Sequence, residues 1–144
     1  MAEVETALVV NWPVDMVYEK AKDIEALARF LPDLKEVRVL SREGNQVESF
    51  WKGEFQRREV KWRERDIWDD EKRECRFHLL EGDFKKYQGI WRFLPDNEKT
   101  RIELKLEYDL GLPLIGPLIN AFLKKKMTEN SQSMLKALQQ ILDA

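Results

Sequence analysis

The chain is short of the residues that carry redox and metal chemistry. Its 144 residues include one cysteine, Cys75, and one histidine, His78. One cysteine cannot close an intrachain disulfide, and no Cys-x-x-Cys or mixed Cys/His spacing supplies a metal set, so no metal and no cofactor is expected. It is also short of charge excess: 25 Lys and Arg stand against 27 Asp and Glu, for a net charge of −2. Bulk nucleic-acid binding needs a basic surplus, and none is expected here. No apolar run approaches the roughly 20 residues that span a membrane. The first residues, Met1-Ala2-Glu3-Val4-Glu5, are acidic and lack the basic start and apolar stretch of a secretory signal. The expected address is the cytoplasm. Repeats, low-complexity tracts and linkers are missing too, so the expectation is a single domain over residues 1–144.

Aromatic residues, by contrast, are plentiful in stretches that alternate with period two. Val4, Thr6, Leu8 and Val10 alternate with Glu3, Glu5 and Ala7, which predicts a first strand. Pro13 stops it and suits a first helical turn, with Asn11 or Trp12 near the cap. Val14 to Lys22 then reads as a short helix. Asp23 is a good N-cap for a second, Ile24 to Leu31. Val37 and Val39 alternate against charge, and Glu43-Gly44-Asn45 is a hairpin turn. Further strands carry Val47, Ser49, Trp51, Gly53 and Phe55, then Val60, Trp62 and Trp68, then Cys75, Phe77 and Leu79. The acidic turn Asp69 to Lys72 separates the last two. A sixth strand, Phe84 to Leu94, holds Tyr87, Gly89, Trp91 and Phe93 on one side. The seventh is the cleanest: Ile102, Leu104, Leu106, Tyr108 and Leu110 against Arg101, Glu103, Lys105, Glu107 and Asp109.

The tail reads as one long amphipathic helix after an apolar loop, Leu110 to Pro117. Ile119, Leu123, Met127, Met134, Leu138 and Ile141 fall on one stripe of a 3.6-residue period. The predicted fold class is α+β. A seven-stranded curved antiparallel sheet wraps the long C-terminal helix, and two short helices follow strand 1.

This order, with these residues, resembles the helix-grip fold of the START-like, Bet v 1-like (SRPBCC) superfamily, in its polyketide cyclase and coenzyme-Q-binding branch. The stretch Glu81-Gly82-Asp83-Phe84-Lys85-Lys86-Tyr87-Gln88-Gly89-Ile90-Trp91-Arg92-Phe93 carries the resemblance most specifically. It follows the branch's Gly-x-Phe-Lys and Gly-x-Trp-x-Phe pattern. Val17-Tyr18 through Asp23 to Phe30-Leu31-Pro32 adds a second match. The apolar loop Gly111 to Pro117 departs from the coenzyme-Q-binding proteins. The resemblance implies a hydrophobic cavity under the long helix for lipid-like or polycyclic molecules. It does not imply catalysis, because the same cavity serves carriers, sensors and cyclases.

Individual residues are weighed against plain packing. Trp51, Trp62, Phe77, Trp91 and Tyr108 are the wall residues expected from the sheet, since aromatics at this density exceed what a small filled core needs. Met127 and Met134 are expected from the helix, because methionine adapts to varied apolar shapes. Asn130 falls between them on the same stripe, where a polar amide must find a neighbour, a water or a ligand. Glu64 and Asp66 share the parity of Trp62 and Trp68. Inward carboxylates would be an acid–base site. The plainer expectation is a bulge that turns them to solvent, or a place beyond the core's edge. His78 is out of phase with Phe77 and Leu79 and reads as a surface residue, with no Ser/His/Asp set around it. Cys75 reads as an inert core thiol.

Leu112, Pro113, Leu114 and Ile115 form the expected entrance, hinged at Gly111 and Gly116. Lys124-Lys125-Lys126 stands beside it. Residues 112–126 would suit transient contact with an anionic membrane surface, or the loop simply caps the pocket. Three functions follow. One is a non-enzymatic carrier of a hydrophobic small molecule, such as a lipid, an isoprenoid quinone or a polyketide-like compound. A second is a cyclase or aromatase using Glu64 and Asp66. A third is a ribosome-associating module, with Arg57, Arg58, Lys61, Lys85 and Lys86 on its outer face.

Overall fold

A computed structural model describes residues 2–55, 58–110 and 117–144, with the side chains of 55, 58 and 117–120 left out. Strand β1 (Ala2–Val10) leads into helices α1 (Val14–Ala21) and α2 (Ile24–Ala28). Six strands follow: β2 (Leu34–Glu43), β3 (Gln46–Phe55), β4 (Arg58–Asp69), β5 (Glu74–Gly82), β6 (Lys86–Asp96) and β7 (Lys99–Asp109). Helix α3 (Pro117–Asp143) ends the chain. The strands form one antiparallel sheet in the order β1-β7-β6-β5-β4-β3-β2. Consecutive strands are neighbours, as short turns require, and β1 closes against β7. This is the expected helix-grip fold.

Local chemistry sets the boundaries. Pro13 itself is the N-cap of α1, just after Asn11 and Trp12, and no side chain caps the helix. Asp23 does cap α2, its Oδ1 accepting from the Ala26 amide at 3.2 Å. That helix ends at Ala28, shorter than the predicted run to Leu31, yet Leu31 stays buried in the core. The acidic turn is held by Asp69 Oδ1, which accepts from the amides of Glu71 and Lys72. Asn97, with φ 57°, makes the turn between β6 and β7, a conformation asparagine tolerates better than most residues.

The seventh strand has the alternation the sequence shows: Ile102, Leu104, Leu106 and Tyr108 are all buried. Leu123, Met127 and Leu138 of the helix stripe are buried, and Met134 and Ile141 pack against them partly exposed. The buried side is wider than predicted, because Ser131, Leu135, Ala137 and Leu142 join it. A helix gripped by a curved sheet buries more of its circumference than one lying on a flat surface. Trp12 Nε1 ties the first crossover to the helix end, donating to Asp143 Oδ1 at 2.8 Å. Helix α3 packs on β1, β7, α1 and α2. The inner faces of β3, β4 and β5 lie across from it, and the space between is the hollow described next.

Candidate functional site: a cavity with a buried acid pair

A cavity of about 140 Å³ lies between the sheet and α3. That is roughly ten times the space one water requires. Trp51 and Trp62 supply adjacent strands of its wall. They pair across β3 and β4, and their rings stack 5.8 Å apart at 9°. Phe84 meets Trp62 edge-on at 5.3 Å, and Tyr87 fits between Phe84, Trp62 and Phe77. Phe77 needs a glycine opposite: a Cβ at Gly89, its partner on β6, would sit 2.6 Å from the Phe77 ring. The helices contribute Ala21, Ile24 and Leu27 from one side and Met127, Asn130, Ser131 and Met134 from the other. The wall reaches the surface through Pro32 and Asp33, with Leu34, Glu54 and Val60 beside them.

Two carboxyl groups interrupt this apolar lining. Glu64 and Asp66 each keep only 5% of their surface exposed and both face the cavity. This corrects the plainer expectation that they point to solvent. A bulge does exist beside them, but on the neighbouring strand. Arg63 opposes Glu81 while Glu64 opposes Leu79, so Leu80 of β5 is the extra residue. Strand β4 keeps its alternation, and Trp62, Glu64, Asp66 and Trp68 all turn inward.

Trp62 Nε1 donates to Glu64 Oε1 at 2.9 Å, and a further side-chain hydrogen bond joins Glu64 to Asp66. A bond between two carboxyl groups requires a proton between them. Burial pushes the Glu64 pKa well above the usual carboxylate range, and the Asp66 charge beside it adds to the shift. Burial also raises Asp66, opposed by its bond to Glu64 and by the charge of His78. Like charges in one apolar site cannot both ionise cheaply, so the pair keeps one proton. Neither carboxylate belongs to an ion pair among the described residues. Burial and these two carboxyls likewise raise the pKa values of Cys75 and Tyr87, which keeps both protonated.

The expected wall residues Trp51, Trp62, Phe77, Trp91, Met127, Asn130 and Met134 all face the cavity. Tyr108 does not: it is buried in the core at the end of β7, opposite Ala2 and Tyr87. The expected entrance, Leu112 to Ile115, lies outside the described residues; Leu110, just before it, is part of the wall. Tyr87, Phe84 and Ser131 face the cavity without having been singled out as ligand contacts. Tyr87 shares parity with Trp91, and that signal was sufficient to include it. Cys75 is a buried wall residue, and His78 is half-buried on the outer face beside Arg65. No group of acidic, cysteine and histidine residues suited to a metal occurs among the described residues.

Residues 10–135 match the family described as polyketide cyclase/dehydrase and lipid transport. The chain belongs to that family. A solved protein from Thermus thermophilus is 39% identical, with a TM-score of 0.92 over 96% of this chain and 95% of that one. The Zhui aromatase/cyclase from Streptomyces sp. R1128 has a TM-score of 0.86 at 21% identity, covering 99% of this chain and 93% of its own. A START superfamily protein from Mycobacterium smegmatis has a TM-score of 0.80 at 20% identity, over 98% and 97% of the two chains. These last two likenesses speak to the fold. No curated protein matches the chain. No helix among the described residues is long and apolar enough to cross a membrane.

Proposed function

We propose that the protein binds a hydrophobic small molecule between its sheet and α3, holding the molecule's ring-like or branched head against Trp51 and Trp62. The observation that carries this reading is the unfilled cavity itself. It is enclosed by aromatics and flexible methionines, and a core that served stability alone would be packed to near-crystal density. Its volume of about 140 Å³ falls below the roughly 300–1,000 Å³ of pockets that swallow a drug-sized ligand. The head group therefore sits inside and any tail leaves past Leu34 and Val60. Lipids, isoprenoid quinones and polyketide-like rings all have this shape. Exposed Phe122, Lys124 and Lys125 support a further element of the reading, loading from an anionic membrane surface. Organic extraction of the purified protein followed by mass spectrometry tests carriage. A reproducible apolar molecule in near-stoichiometric amount is expected. Repeated empty extracts, with no binding of quinone or fatty-acid probes, would contradict it.

A second reading, a cyclase or dehydratase, is favoured by one specific observation: Glu64 and Asp66 face the cavity as a pair sharing a proton. In such a reaction Asp66 would take a proton from carbon next to a carbonyl. Glu64 would give its proton to the departing hydroxyl, which leaves as water as the double bond forms. Incubation with a β-hydroxy ketone of one or two rings, followed by chromatography, distinguishes the readings. Turnover lost in Glu64→Gln supports the enzyme; binding without turnover supports the carrier.

A further inference from the structure

The chain holds 25 lysines and arginines, yet none of them borders the cavity among the described residues. Four carboxyl groups do: Asp33 and Glu54 near the surface, Glu64 and Asp66 inside. The outer two are matched or wet, since Glu54 faces Lys35 at 3.5 Å and Asp33 is exposed. The inner two are neither. Two carboxyls that share one proton keep one negative charge, and no lysine or arginine among the described residues lies close enough to offset it. His78 acts on Asp66 only from the outer face of the sheet, and Lys22 is bonded to Asp70 at 2.9 Å. The charge is felt along the wall: after burial itself, it is what lifts the pKa values of Tyr87 and Cys75. A buried charge without a counter-charge is costly.

Much of the wall around that charge is aromatic, with Trp51, Trp62, Trp68, Phe77 and Trp91 among its residues. The faces of such rings carry negative potential and attract ammonium groups. The protein uses this combination once already, just outside the cavity. Lys22 Nζ stands 4.6 Å over the Tyr18 ring and 5.9 Å over that of Trp68, with Asp70 as its carboxylate. The cavity has the rings and the acid but no ammonium of its own among the described residues. We infer that it takes an apolar ring molecule carrying a basic nitrogen, bound as the ammonium form, in preference to the matching alcohol, and that it excludes the matching carboxylate. This rests on the cavity reading above and narrows it to a chemical class. The ammonium supplies the counter-charge that the inner pair lacks, while the ring body lies beside Trp51 and Trp62. Attraction across a water-poor space needs no direct contact with either carboxyl. A carboxylate would bring a second negative charge into the same space, with no cation to receive it.

Calorimetric titration of the full chain near neutral pH with 2-naphthylmethylamine, 2-naphthylmethanol and 2-naphthoic acid tests this. The amine is expected to bind at least about tenfold more tightly than the alcohol, and the acid at least about tenfold more weakly. The advantage of the amine should persist at about 0.5 M salt, which screens surface carboxylates far more than a buried pair. In the double variant Glu64→Gln, Asp66→Asn, which keeps the shape and removes the charge, that advantage should fall to about twofold or less while the alcohol binds as before. Should the variant not fold, the wild-type titrations at low and high salt decide alone. Equal binding of amine and alcohol, an advantage that salt abolishes, or one that survives in the double variant overturns the inference and leaves the cavity reading standing. Tightest binding of the acid also overturns it, because the cavity would then hold a positive field. Failure of all three probes overturns the inference and the cavity reading together.

Discussion

Strand β4 has two faces, and they treat charge in opposite ways. On the outer face Arg63 bridges Glu48 and Glu81, both at 3.1 Å, and Arg65 reaches Glu48. Lys61 pairs with Glu59, which Lys52 also approaches. All of these charges are within reach of water, and each pair contributes little alone. One residue further along, on the inner face, Glu64 and Asp66 lie against tryptophan with no cation. A chain that pairs its surface charges so freely leaves the inner pair to share a proton instead. Charge number therefore says little about a strand; what matters is whether water can reach the charge. The inner face is where a small chemical change should have a large consequence.

Trp62→Ala breaks the inner face most severely. It removes the stack on Trp51, the edge contact with Phe84 and the donor to Glu64. A loss of about 3–5 kcal/mol in urea unfolding is expected, as for other large-to-small core changes. Glu64→Gln sharpens the comparison through pH. A carboxyl whose folded pKa lies above its ordinary value of 4.5 holds its proton more tightly in the folded chain. Its contribution to stability is complete below that value and is lost as pH rises toward the folded pKa; Asp66 acts in the same direction. The amide cannot ionise and still accepts from Trp62. Melting curves should therefore show variant and wild type close at about pH 4, with the variant increasingly the more stable toward about pH 8. A gap that closes as pH rises would contradict the shared proton. Arg63→Ala on the outer face should have the smallest effect. Any difference from wild type should vanish at about 0.5 M salt, where surface pairs are screened.

Much of this fold was legible because the inward and outward residues of β7 alternate without a break, and because Leu123, Met127 and Leu138 keep helical spacing. The wall tryptophans followed from the same parity. The acid pair resisted the reading. Its direction depends on which of two neighbouring strands takes the extra residue, and strand pairing puts that residue at Leu80. Nothing in the β4 sequence reports what β5 does. Tyr108 shows a related point: parity places its side chain inward, where it is buried, but does not say whether an inward side chain borders the cavity or the packed core beside it. The wider buried side of α3, with Leu135 and Leu142, comes from the curvature of the sheet, which has no signature in the helix alone.

The five tryptophans allow the central claim to be tested directly. Trp51, Trp62, Trp68 and Trp91 line the cavity, whereas Trp12 is bonded to Asp143 outside it. Addition of a saturating two-ring ligand should move the indole N–H resonances of those four in a proton–nitrogen correlation spectrum and leave Trp12 in place. Movement of Trp12 alone, or no movement of Trp51 and Trp62 when binding is complete by calorimetry, would show that the ligand sits elsewhere and contradict the account.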